Sequence, residues 1–232
     1  MSPLEKKSLF GLASLYAFRM IGLFMLLPVL SLYAEEYSGS TIILVGVALG
    51  VYGLTQGLFQ IPLGFLSDRF GRKPIIFIGM LIFFLGSIIA ATSETMLGLI
   101  AGRALQGVGA VASTIMALLS DLTTEQSRTK AMAVIGASIG VSFAVSLIVG
   151  PILANLWGLS GLFWLTAVLS ILGSLILFFL VPTPSVLRNN PESQAVPQML
   201  SRLLKNRELL RLNFGIAVLH FSQMAIWISV PL

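Results

Sequence analysis

Apolar positions in this chain gather into long runs, at about 9–33, 42–67, 74–93, 96–120, 130–156, 160–182 and 213–232, with short polar breaks between them. Each run reaches the roughly 20 residues that a helix needs to cross the hydrocarbon core of a bilayer. The pattern predicts seven transmembrane helices. It divides the chain into a six-helix bundle over 1–182, a polar linker with an amphipathic helix over 183–212, and a seventh helix over 213–232. The first run follows Lys6 and Lys7, as a signal peptide would, but it is too long and lacks a small-residue cleavage site, so it reads as a retained span.

The breaks sort by charge. Lys6 and Lys7, then Arg69, Arg72 and Lys73, then Arg128 and Lys130, then Arg188, Arg202, Lys205, Arg207 and Arg211 mark one side of the membrane. The alternate breaks hold Glu35, Glu36 and Glu94 with no Lys or Arg. By the positive-inside rule the N-terminus, the loop at 68–73 and the linker are cytoplasmic. In "PQMLSRLLKNRELLRL" the leucines recur at helical spacing beside Arg202, Lys205, Arg207 and Arg211, a pattern suited to lying on the anionic inner leaflet.

Composition agrees: 56% of the 232 residues are hydrophobic and 10% charged, and the mean hydropathy is +0.97. An all-α membrane protein is expected, with the lipid bilayer as its solvent. The net charge of +5 sits in short loops, not on one face, so it serves topology and not nucleic-acid binding. With no cysteine and one histidine, His220, the sequence offers no disulfide, thiolate zinc site or multi-histidine metal centre, and no metal or other cofactor is expected. Nor does it present a catalytic loop, so an enzyme is not expected.

Inside the predicted spans polar residues are few. Arg19 lies about 15 Å into the first helix, near mid-membrane, and Arg103 lies in the fourth. Burying an arginine there costs about 2.5–3.5 kcal/mol even on a lenient scale, so each needs a cavity or a partner. Gln106, nearly one turn beyond Arg103, points to a polar cavity lining, and Arg19 is a second cavity candidate. His220, in the seventh run, is the group whose ordinary titration falls near neutral pH. No aspartate or glutamate lies deep in any run. The pairs Gly46 with Gly50, Gly53 with Gly57, and Gly136 with Gly140 have the spacing of close helix contacts. Gly150-Pro151 reads as a kink or swivel in the fifth helix, because proline removes a helix hydrogen bond.

The most polar stretch of the first half is "GFLSDRFGRK", residues 64–73. Asp68 and Asp121 fall at the C-terminal ends of the second and fourth runs, where the helix dipole disfavours negative charge. Each therefore needs a cation, and Arg69, Arg72 and Arg128 are at hand. Gly64 and Gly71 permit a tight turn. The arrangement predicts a charge latch of Asp68, Arg72 and Asp121 that ties helix ends together in one conformation and releases them in another.

This stretch resembles the signature loop of the major facilitator superfamily, written G-x-L-x-D-R-x-G-R-K/R, in its place between helices two and three. "RALQGVGA", from Arg103, resembles the family's fourth-helix motif, whose arginine is implicated in proton coupling. "IGLFMLLPVLS" is similar to the first-helix pattern of its drug:proton antiporters, with Ser31 in place of a proline. The fifth helix keeps Gly150 and Pro151 of the antiporter motif but has Ser146, Ala154 and Asn155 where glycines are usual. The resemblance covers the whole chain and implies a twelve-helix fold of two six-helix halves, of which this chain holds the first half and helix seven. It also implies the Asp68, Arg72 and Asp121 pairing, a helix-eleven partner for the loop aspartate in the missing C-terminal half, and His220 as a protonation site. It implies further that each half is built of inverted three-helix repeats, that substrate is held near the bilayer midplane between the halves, and that access alternates by rocking.

Together these expectations describe a proton-coupled exporter of small, amphipathic or drug-like compounds in the bacterial inner membrane, its partners being protons and a small-molecule substrate. A symporter or uniporter of a metabolite keeps the fold and changes the coupling. A half-transporter that inserts without transporting keeps only the bundle.

Overall fold

The computed structural model describes residues 1–109, 111–183 and 205–229. The chain divides into two compact units, Met1–Leu187 and Arg188–Leu232. The described residues of the first are helices: α1 (Pro3–Phe24), α2 (Leu27–Tyr33), a 3-10 turn (Ala34–Glu36), α3 (Ile42–Phe70), α4 (Arg72–Thr92), α5 (Met96–Val108), α6 (Ala112–Asp121) and α7 (Glu125–Phe179). In the second unit α8 spans Arg207–Ser229. Five segments are long and apolar enough to cross a membrane, Pro3–Glu36, Ile42–Phe70, Arg72–Thr92, Met96–Asp121 and Glu125–Phe179. They overlap the first six predicted runs, the fifth and sixth of which fall in the single segment Glu125–Phe179. Residues 184–204, most of the predicted linker, and 230–232 lie outside the described residues.

Local chemistry starts these helices. Ser2 and Glu5 form a reciprocal capping box ahead of Pro3. Thr41 accepts from the Leu44 amide at 3.3 Å, and Thr95 from the Gly98 amide at 3.2 Å. Between α3 and α4 the chain reverses at Gly71 alone, whose φ of +95° is a conformation that favours glycine. Gly64 does not form this turn, contrary to expectation: it lies inside helical α3, with Ser113 nearby.

The apolar runs hid two interruptions, and one predicted break proved to be a single non-helical residue. Pro28 ends the helical register after Phe24, since it has no amide to donate and crowds the carbonyl four residues back. The fourth run is two helices parted around Gly109. The fifth and sixth runs join in α7, whose non-helical backbone angles occur at Gly158 (φ +67°), while the backbone stays helical through Gly150-Pro151. A kink or swivel was expected at 150–151 from the proline, and the glycine beside it admits the close approach of the Met25 backbone. A Cβ on Gly150 would lie 2.8 Å from the Met25 carbonyl oxygen.

Helix α1 lies against both parts of α7. Ser142 and Ser146, before the break, donate to the carbonyls of Ala17 and Ile21 at 3.5 and 3.3 Å. Thr166, after it, donates to the Gly22 carbonyl at 3.2 Å. Serine and threonine act here as interhelical ties where lipid supplies no hydrophobic drive. Helices α4 and α5 approach through Gly86 and Gly102, since a Cβ on either would stand 2.6 Å from backbone of the other helix. The paired glycines at 46 and 50, 53 and 57, and 136 and 140 meet nothing within 4 Å among the described residues. Their spacing was expected to mark close contacts, and within this unit the close contacts fall on other glycines.

The buried core includes Leu12, Leu15, Ile76, Met80, Ile115, Leu118, Ile135 and Leu177, drawn from α1, α4, α6 and both parts of α7. This core holds the inner faces together and leaves large apolar side chains such as Phe10, Leu58 and Phe179 on the outside, as a bilayer requires.

Candidate functional site

Two polar centres emerge from these elements. The first gathers at the ends of α3 and α6. Arg72 forms an ion pair with Asp68, and its Nε donates to Asp121 Oδ2 at 3.2 Å. Its Nη1 also donates to Ser67 Oγ at 2.7 Å. Arg72 is the first residue of α4, placed there by the turn at Gly71, so one guanidinium neutralises two carboxylates at two helix C-termini. The side chains are 13% (Arg72), 33% (Asp68) and 19% (Asp121) exposed. Arg69 makes no ion pair among the described residues and lies over the Phe70 ring, 5.6 Å from its centroid. Arg128 makes none there either, and its Nε is buried without a partner. Lys73 donates to the Val181 carbonyl at 2.8 Å, closing the end of the sixth run.

The second centre lies within the spans. Arg103 Nη1 donates to Gln106 Oε1 at 3.0 Å, Gln106 Nε2 to Ser87 Oγ at 2.8 Å, and Ser87 Oγ to the Phe83 carbonyl at 2.8 Å. Arg103 Nε reaches the Ala48 carbonyl at 3.4 Å, and its guanidinium covers the Tyr52 ring at 4.7 Å. Arg19 Nη2 donates to the hydroxyl of the same Tyr52 at 3.4 Å, and Arg19 lies 5.4 Å from the Phe83 ring centroid. Both arginines are 1% exposed, and among the described residues neither has an ion pair.

Helix starts at the N-terminal end meet in a third cluster that the sequence did not reveal. Glu5 Oε1 accepts from the Thr124 amide at 2.8 Å, the Thr124 hydroxyl at 3.0 Å and the Ser127 hydroxyl at 2.6 Å. Helix α1 thus caps α7, 119 residues away. Ahead of the apolar run that begins at residue 9, the Ser127 hydroxyl and the Thr124 and Ser2 amides hold the Glu5 carboxyl down to about 2. The available signal was the Ser2-to-Glu5 capping spacing. Tyr52 and Ser87 had none, since an isolated tyrosine or serine in a span reads as packing.

Gly150 sits against Met25, as above, while Pro151 lies within α7. His220, in α8, holds its Nδ1 2.9 Å from the Ile216 carbonyl of the same helix, which accepts from it. Among the described residues no group of three or more metal-ligating side chains occurs.

The model of the Major Facilitator Superfamily matches residues 12–232. The chain is 48% identical over its whole length to the "Inner membrane transport protein YajR" of Escherichia coli (strain K12), covering 51% of that protein. It is 32% identical to "Multidrug resistance protein D" of the same organism, over 72% of this chain and 41% of that one. Among solved structures, a bacterial homologue of the human lysosomal transporter Spinster, in an inward-facing and occupied conformation, matches with a TM-score of 0.72 and 20% identity over 88% of this chain and 50% of that one. The chain spans about half the length of these relatives.

Proposed function

The chain belongs to the Major Facilitator Superfamily, and from that premise we propose that it supplies the N-terminal half of a proton-coupled secondary transporter that exports small amphipathic compounds across the bacterial inner membrane. The observation that carries this reading is Arg72 held between Asp68 and Asp121, because the bridge is built where helix ends must part and rejoin as access alternates. In this reading Asp68, Arg72 and Asp121 latch the cytoplasmic side, with Gly64 packing the helix that bears Asp68. Arg103, Gln106 and His220 serve proton coupling, and Gly150-Pro151 packs or gates helix five. The similarity to a multidrug resistance protein supports export. The basic loops support a cytoplasmic N-terminus.

Proton flux in proteoliposomes under an imposed pH gradient tests this, comparing the 232-residue chain alone with the chain joined to a C-terminal half of the kind its longer relatives carry. Substrate-dependent proton movement only in the joined protein is the expected result. Substrate equilibration without proton movement overturns the coupling roles of Arg103 and His220 and favours a uniporter. One observation leans toward that second reading: apart from Glu5, ahead of the first apolar run, no aspartate or glutamate is among the buried residues described. Vigorous transport by a monomeric chain alone overturns the half-transporter assignment.

A further inference from the structure

The bundle interior holds two cations and no described counter-charge. Arg19 and Arg103 are each 1% exposed, and the carboxylates of the described chain sit at helix ends or in loops, at Glu5, Glu35, Glu36, Asp68, Glu94, Asp121, Glu125 and Glu208. Arg103 is at least engaged with neutral acceptors on Gln106 and Ala48. Arg19 is not: its Nε and Nη1 are buried without a partner, and its single hydrogen bond is the long one to Tyr52. The two guanidinium groups converge on one side chain, Arg19 at the Tyr52 hydroxyl and Arg103 over the Tyr52 ring. Since that hydroxyl accepts from Arg19, its own proton remains a donor.

Donors and positive charge in a low-dielectric interior, lined by the rings of Tyr52 and Phe83, describe a seat for an anion carried on an apolar body. We propose that Arg19, Tyr52 and Arg103 bind a carboxylate or similar anionic head of the transported compound, so that the substrates are amphipathic organic anions and not lipophilic cations. This rests on the transporter reading above. A cationic compound meets two like charges here with nothing to offset them. An anionic one supplies the missing counter-charge, with its apolar remainder against the aromatic rings. Because both arginines are enclosed in this conformation, the anion enters when the access cycle opens the seat.

Three probes that share one ring system and differ in charge provide the test: naphthoate, naphthylmethanol and naphthyltrimethylammonium. Binding is read as a saturable rise in melting temperature of the purified chain, alone and joined to a C-terminal half, so no transport is needed. Naphthoate alone of the three is expected to stabilise both forms. R19M is expected to weaken naphthoate about tenfold or more while the unliganded protein melts no lower than wild type, since it loses an uncompensated charge. R19K, which keeps the charge, is expected to retain part of the binding.

Equal stabilisation by the cation, or undiminished naphthoate binding in R19M, overturns the proposal. So does an R19M protein that melts well below wild type with no naphthoate effect in either form, the signature of a structural arginine. Binding to the chain alone but not to the joined protein also overturns it, because an acid of the second half then fills the seat. Naphthoate binding with no flux in proteoliposomes sinks the transporter reading and leaves the anion site standing.

Discussion

Arg72 and Asp121 stand 49 residues apart in the chain and 3.2 Å apart in space, and Asp68 shares the same guanidinium. Removing either acid leaves Arg72 one anion, whereas removing both leaves a largely buried cation with none. D68N with D121N is therefore expected to destabilise the purified protein by more than the sum of the single changes, with a coupling of about 0.5 kcal/mol or more. Additive melting shifts would mean that Arg72 does not bridge the two helix ends.

Glu5 gives a pH signature. Its folded pKa, about 2, lies below the ordinary 4.5, so the stabilisation from its ionised form is fully present above about pH 4.5 and is lost as pH falls through about 2. E5Q is expected to melt lower than wild type at pH 7, and the gap is expected to narrow steadily between pH 4.5 and pH 3. A gap that does not change with pH would show that the charge contributes nothing to capping α7.

Gln106 relays between Arg103 and Ser87, accepting from one and donating to the other. Q106L leaves the arginine short of a partner and is expected to cost about 1–3 kcal/mol. Q106E retains the acceptor and adds an anion beside Arg103, so it is expected to melt above Q106L. Thermal unfolding in one detergent decides the order, and the reverse order would deny that Arg103 seeks negative charge.

Two glycines of α7 separate packing from spacing. G150V forces a side chain onto the Met25 carbonyl and is expected to cost about 1–3 kcal/mol. G140V in the purified 232-residue chain meets nothing within 4 Å among the described residues and is expected to stay within about 0.5 kcal/mol of wild type. Equal losses in the two would mean that Gly150 is not held by its contact with Met25.

Hydrophobic run length alone marked out the long apolar helices of the first unit, because a bilayer demands about 20 apolar residues wherever a chain crosses it. The order of Asp68, Arg72 and Asp121 along helix ends likewise announced an ion pair, since a carboxylate at a helix C-terminus needs a cation nearby. Local pattern was silent on what depends on a second helix. The turn fell to Gly71 and not Gly64. Close contact fell to Gly86, Gly102 and Gly150, while glycines of ideal spacing met nothing within 4 Å among the described residues. Arg19 was visible as a costly charge, but that Tyr52 joins it to Arg103 depends on contacts across three helices. Hydropathy is a property of each residue against lipid and can be read along a line, whereas pairing in the interior depends on which faces meet, and only the folded bundle decides that.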